Sequence, residues 1–296
     1  MTQRIGFIGL GNMGGRMARR LAAAGHDVLG YDPAPQAAAN AGAQPASSIQ
    51  EVVSGSDHIL MSLPNSHVIE TVVLAKDGVL ESARAGQIIV DLSTAAPAST
   101  RMLHARLREG GVELVDAGIS GGAAAAEKGT LTLMVGGSEE AIGELGATLE
   151  PLTSHVFRMG GPGTGHCTKL LNNFLNAVNL AASSEVMIAA KMSGLDVEQA
   201  LQVINLSSGS NWATKNRFPS IVRGDYLEGG LSSDLMMKDI ALYLEHLLDI
   251  GAPSLNTAGP ISSFGLAIHR GYGDAISNRV VDAIGDLAGG VRVHDD

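Results

Sequence analysis

The apolar positions along the chain fall into two regimes. Up to about residue 160, short hydrophobic runs at 4–8, 27–31, 58–63, 87–92, 112–117, 131–135 and 155–158 have strand length, and stretches at 13–24, 98–109 and 139–149 carry helical spacing. Strands alternating with helices predict βαβ units and a mostly parallel sheet. Beyond Gly160-Gly161-Pro162-Gly163 the pattern changes: from about Thr164 to Ser193 the composition is helical, with no Pro and no Gly between Gly165 and Gly194. Such a segment makes roughly 45 Å of helix. Helical patterning at 196–205, 232–248 and 257–269, with Gly or Pro at the ends, predicts an all-α second half. The expected fold is α/β: a doubly wound N-terminal sheet over 1–162, then a long linking helix opening an all-α domain over 163–296.

Composition narrows the function classes. The 296 residues are 45% hydrophobic, enough to build two cores, and 30 acidic against 20 basic residues give a net charge of −10 with no block of like charge. That balance argues against a nucleic-acid partner. Aromatics are only 3% while 38 residues are Gly, which favours close backbone packing and an α/β enzyme over a stacking platform. The single cysteine, Cys167, cannot form an intramolecular disulfide, as expected of a cytoplasmic protein. Residues 5–10 are too short for a signal-peptide core and read as a strand entering a turn. Residues 174–192 carry Asn176, Asn179, Glu185 and Lys191, so they read as a core helix and not a membrane span.

Gly9-Leu10-Gly11-Asn12-Met13-Gly14 fits G-x-G-x-x-G, follows an apolar strand and opens a helix, and Asp32 closes the next strand 18 residues beyond Gly14. In that context the glycines read as the phosphate-binding fingerprint of a Rossmann-type fold. Gly9 allows the tight turn, Gly11 lets backbone N–H groups approach a pyrophosphate, and Gly14 brings helix and strand together. A carboxylate at Asp32 accepts from a ribose 2′-hydroxyl and repels a 2′-phosphate, and Pro33-Ala34 follow it in place of a basic clamp, so NAD is expected over NADP. The bland alternatives are a glycine turn without ligand and an Asp that caps the next helix.

Two further segments carry chemistry. Asp116-Ala117-Gly118-Ile119-Ser120-Gly121-Gly122 reads as a strand end and glycine turn, either an ordinary exit or a cluster of amides beside the Ser120 hydroxyl suited to a substrate carboxylate. Gly163-Thr164-Gly165-His166-Cys167-Thr168-Lys169-Leu170-Leu171-Asn172-Asn173 places Lys169 early in the long helix, with Asn172, Asn173 and Asn176 expected on the same face. A lysine there is disfavoured by the helix dipole and by a neighbouring nicotinamide cation, which suits it to exchange a proton between alcohol and carbonyl. A solvent-reaching lysine beside interhelical Asn bonds is the structural alternative.

Taken in order, the Gly9–Gly14 fingerprint, Asp116–Gly122 with Gly129-Thr130-Leu131-Thr132, the Gly163-to-Asn173 segment and Lys238-Asp239 resemble the β-hydroxyacid dehydrogenases, the family containing 3-hydroxyisobutyrate dehydrogenase and tartronate semialdehyde reductase. The resemblance covers nearly the whole chain. It implies Lys169 as catalytic acid/base, Ser120, Gly121 and Gly122 holding the substrate, and Asn173 orienting it. It places Lys238 at the cofactor with Asp239 in support, and matches Leu63, Pro64 and Thr94 to the cofactor cleft. Trp212, within Ser207-Ser208-Gly209-Ser210-Asn211-Trp212, resembles a pocket-lining residue, with core packing as the alternative. One departure stands out, since relatives commonly have Pro at the position of Gly118.

The implied activity is NAD-dependent, reversible oxidation of a small 3-hydroxy acid to its semialdehyde or keto acid, in a homodimer or homotetramer. Tartronate semialdehyde reduction, a non-catalytic dinucleotide sensor and an imine reductase are the competing readings. No H-x-x-x-H or H-E-x-x-H spacing supports a metal-dependent alcohol dehydrogenase, and Cys167 reads as an inert thiol, not a thioester-forming nucleophile.

Overall fold

The computed structural model describes residues 3–294. Eight strands, β1 (Arg4–Ile8), β2 (Asp27–Tyr31), β3 (Gln44–Pro45), β4 (His58–Met61), β5 (Ile88–Asp91), β6 (Glu113–Ser120), β7 (Leu131–Gly136) and β8 (Thr153–Gly160), form one sheet in the order β3-β2-β1-β4-β5-β6-β7-β8. Only the β6–β7 pair is antiparallel among these neighbours. Alternate residues of the inner strands enter different cores: Phe7, Leu60, Val90 and Val115 join one cluster with Met17 and Leu21, whereas Ile8, Ile59, Ile89 and Leu114 join another with Val52, Ile69 and Leu103. Period-two side chains buried on both faces are what a doubly wound sheet requires.

The chain divides into two compact units, one ending at Lys169 and the other starting at Leu170. A 29-residue helix, Thr164–Met192, carries the chain from the first into the second. Within the helical unit, Val197–Asn205, Ser233–Ile250, Ala258–Ala267 and Val280–Leu287 contribute to a core centred on Phe218, Met236, Ile240 and Phe264. No helix among the described residues is long and apolar enough to cross a membrane.

Three differences from the sequence expectation have physical causes. The strand expected at 112–117 continues to Ser120, because Gly118 pairs with Met134 and offers no side chain to the helix packed over it. The helix expected at 139–149 is broken into Glu139–Glu144 and Gly146–Leu149, where Gly143 and Gly146 weaken the helical run. Helices Ile49–Gly55 and Ser66–Leu74 were not foreseen; they span barely two turns, and Ser48 and Asn65 cap them through side-chain oxygens.

Candidate active site

The strand order reverses between β1 and β4, so the loops leaving their C-terminal ends face a crevice of the kind that holds nucleotides. Gly9 has φ +87°, and a Cβ there would lie 2.4 Å from the Ser62 carbonyl oxygen; a Cβ on Gly14 would lie 2.0 Å from the Gly9 carbonyl oxygen. Gly11 is exposed and meets nothing within 4 Å. The first and third glycines are therefore consumed by the turn and by helix–strand contact, while the second leaves open backbone for a ligand. No side chain caps the helix Gly14–Ala23, so its N-terminal end is open to an anion beside Leu10, Asn12 and Met13, although Gly15 N already donates to the Gly11 carbonyl oxygen at 2.9 Å. This cradle fits a dinucleotide pyrophosphate.

Asp32 is placed at the same edge and does more than expected. Its Oδ2 accepts from Leu10 N at 2.8 Å and its Oδ1 accepts from Ala34 N at 2.8 Å. The first bond ties the fingerprint loop to the end of β2, and each oxygen retains acceptor capacity for a ribose hydroxyl. Nearby, Arg16 and Arg19 line a cavity of about 360 Å³ together with Leu10, Asn12 and Ala34. Both cations are engaged by Glu127, at 3.3 and 3.4 Å. Leu63, Pro64 and Thr94 follow β4 and β5 along this edge, with Leu63 N donating to Ser93 Oγ at 2.9 Å.

Lys169 is positioned from the opposite end of its own unit. Asp116, fully buried near the middle of β6, accepts from Gly163 N at 2.7 Å through Oδ1 and from His166 N at 2.8 Å through Oδ2. The first turn of the long helix is thereby pinned to β6. A Cβ on Gly165 would lie 2.3 Å from the Met134 carbonyl oxygen, and one on Gly118 would lie 2.6 Å from Lys169 Cβ. These two glycines let the helix rest on β6 and β7, so Lys169 stands against the strand that ends at Ser120. Gly121 and Gly122 follow the serine with φ +122° and +67°, both exposed.

Sequence reasoning named Asp116 only as part of a motif and missed the buried cluster around His166. The His166 ring meets Thr100 Oγ1 at 2.8 Å and the Asp91 carbonyl oxygen at 3.2 Å. The cluster fixes the helix start from a second direction. Cys167 is half-buried, and burial pushes its thiol up, consistent with an inert role.

One turn after Lys169, Asn173 is buried and donates through Nδ2 to Asp239 Oδ2. Lys238 Nζ lies 3.2 Å from Asp239 Oδ1, so one carboxylate links the asparagine and the lysine. The shared polar face expected for this helix is only partly realised: Asn173 turns inward, Asn172 is exposed and Asn176 is half-buried. The helix rotates about 100° per residue, so neighbours at i+3 and i+4 straddle the boundary of a buried stripe. Trp212 is 57% exposed, which removes the core alternative, and the Arg217 guanidinium lies 5.2 Å from its ring centroid.

The family model for the NAD-binding domain of 6-phosphogluconate dehydrogenase matches residues 4–161, and that for the NAD-binding region of NADP-dependent 3-hydroxyisobutyrate dehydrogenase matches 163–283. The 2-(hydroxymethyl)glutarate dehydrogenase of Eubacterium barkeri is 38% identical over 245 residues, covering 82% of this chain and 81% of its own. The NAD-dependent L-serine dehydrogenase of Pseudomonas aeruginosa is 35% identical over 278 residues, covering 90% and 91%. A solved structure of Mycobacterium tuberculosis 3-hydroxyisobutyrate dehydrogenase with L-serine superposes with a TM-score of 0.87 at 30% identity, covering 97% and 99%. Fold and relatives together define a dehydrogenase acting on CH–OH groups, with a dinucleotide-binding N-terminal region. The chain belongs to the β-hydroxyacid dehydrogenase family.

Proposed function

We propose that the protein is an NAD-dependent dehydrogenase that reversibly oxidises a small 3-hydroxy acid to its semialdehyde or keto acid, with residues 1–162 binding the dinucleotide and 163–296 serving substrate binding and oligomerisation. The observation that carries this reading is the seating of Lys169 against β6, the strand that delivers Ser120, Gly121 and Gly122. An acid/base and an anion-binding turn are then supplied by adjoining pieces of chain.

In this reading Lys169 Nζ takes the hydroxyl proton during oxidation and returns it during reduction. Ser120 Oγ and the Gly121 and Gly122 amides hold the acidic group of the substrate, and Asn173, held by Asp239, orients it. Lys238 is directed to the cofactor. Bound NAD supplies the hydride acceptor. Gly9–Gly14 receive the pyrophosphate, Asp32 the ribose hydroxyls, and Leu63, Pro64 and Thr94 border the cleft. Asp32 favours NAD over NADP by charge. The setting is a cytoplasmic homo-oligomer.

The relatives' names span a substituted glutarate and L-serine, so the acid itself is open to test. A screen of small hydroxy acids with NAD⁺ and NADP⁺, read by appearance of the reduced nicotinamide, should show NAD⁺-linked oxidation of at least one 3-hydroxy acid. Equal use of the two dinucleotides would overturn the role of Asp32, and no turnover of any acid would favour the non-catalytic sensor.

A further inference from the structure

Four polar side chains of the first unit, on Asp91, Ser93, Thr100 and His166, are buried, on segments whose other buried residues include Val90, Leu92 and Leu103. Polar groups taken out of water cost stability unless each finds a partner, so a cluster of this kind has to be satisfied from within. Its partners lie on three separate stretches of chain, and the path between them runs from the proposed cofactor cleft to the helix that carries Lys169.

At the cleft, Leu63 N donates to Ser93 Oγ at 2.9 Å, and Ser93 N donates to Asp91 Oδ1 at 3.0 Å. The second bond is an aspartate closing a turn on the backbone two residues on, and it shapes the chain between β5 and Thr94. From Asp91 the path crosses to the long helix, where His166 Nε2 lies 3.2 Å from the Asp91 carbonyl oxygen and 4.0 Å from its Oδ2. Nδ1 of the same ring lies 2.8 Å from Thr100 Oγ1, on the helix Pro97–Arg108. His166 therefore joins the turn after β5, that helix and the start of the long helix. Asp116 ties the same helix start to β6 through the backbone. Lys169 stands three residues beyond His166, about 4.5 Å along the axis, so a shift of the ring is passed on to the lysine.

We propose that His166 is a positioning residue for the oxidation: its ring spaces the start of the long helix from the turn after β5, and so sets where the Lys169 amine stands relative to a dinucleotide bound along Leu63 and Thr94. This rests on the reading of Lys169 as the acid/base and of Leu63 and Thr94 as the cleft border. An apolar side chain of similar size fills the space without bridging Asp91 and Thr100. The polar contacts of the ring, and not its bulk alone, hold the spacing.

The test compares the parent with His166→Leu, His166→Gln and Thr100→Val, with circular dichroism melts to establish folding. Steady-state kinetics are measured beside a second readout, the rate at which acetic anhydride modifies Lys169 with and without saturating NAD⁺, followed by peptide mass spectrometry. NAD⁺ should slow the modification in the parent. His166→Leu should lower kcat by roughly tenfold or more, the scale for a displaced catalytic group, leave KM for NAD⁺ nearly unchanged, and weaken the protection. His166→Gln should restore most of both, because its amide keeps a donor and an acceptor at similar reach. Thr100→Val should move both in the same direction by less, and it carries the comparison should His166→Leu not fold. A lowered melting temperature with kcat and protection unchanged would show packing alone and overturn the proposal. A glutamine variant no better than the leucine variant, or no protection by NAD⁺ in the parent, would overturn it as well.

Two outcomes separate this inference from the reading beneath it. Parent-like turnover in Lys169→Ala, with NAD⁺ protection of Lys169 still dependent on His166, would sink the acid/base reading and leave the positioning of the amine standing. Turnover that requires Lys169 yet is unchanged in His166→Leu would do the reverse.

Discussion

The Asp116 carboxylate accepts from two backbone N–H groups at the start of the long helix, one through each oxygen. Asparagine in its place keeps one acceptor and turns an NH₂ group toward a donor. Each lost charge-assisted bond costs about 1.5–3 kcal/mol, and a catalytic group displaced by about 1 Å costs on the order of a hundredfold in rate. Asp116→Asn should therefore lower the melting temperature and reduce kcat by roughly tenfold to a hundredfold, with KM for NAD⁺ nearly unchanged because the fingerprint is untouched. Steady-state kinetics check this, and a parent-like kcat would show that Lys169 does not depend on the anchor. The fingerprint and Asp32 were legible in the sequence because their relation is local: strand, turn, helix, strand. Asp116 was not, because its partners lie 47 and 50 residues away and nothing in the intervening pattern announces the bond.

At the scale of elements, the same helix is held by what is missing from β6. A methyl group at 118 would fall 2.6 Å from Lys169 Cβ and 3.1 Å from the Gly165 carbonyl oxygen, so the helix or the strand must shift. Gly118→Ala should leave dinucleotide binding intact and lower kcat by roughly tenfold or more, measured beside a cofactor titration. The departure from the family's usual Pro was visible in the sequence, but the contact that Gly118 makes was not, since it joins two distant elements. A second element contact is pH-sensitive. His58 in β4 is buried with its Nδ1 2.8 Å from Thr148 Oγ1, and burial lowers its pKa. The unfolded chain then binds a proton more readily than the folded one, so this contribution to stability is present above the unfolded value of about 6.5 and is lost as the pH falls toward the lower folded value. Denaturant unfolding should show a loss between about pH 7 and 5 that is smaller in His58→Gln. Equal slopes in the two proteins would remove His58 as its source.

At the scale of the whole molecule, the change from alternating strands and helices to helices alone was readable because hydrophobic period and segment length change together near Gly163. How the sheet ends was not readable: β7 runs antiparallel to β6, and no local pattern distinguishes that from another parallel strand. The helical unit exposes Leu175 at 61%, Leu206 at 91%, Leu248 at 74% and Leu255 at 88%. Apolar surface of that kind on one unit argues for cover by another subunit. Light scattering at micromolar concentration should give a dimeric or tetrameric mass, and a monomeric mass would contradict it.

The central claim is that Lys169 moves the proton in an NAD-linked oxidation, and comparing NADH production by the parent and by Lys169→Ala on the same hydroxy acid tests it most directly. The account predicts a fall in turnover of about 10² to 10⁴-fold with NAD⁺ affinity largely kept, the range for loss of a general acid/base. Turnover by Lys169→Ala close to that of the parent at neutral pH would contradict it.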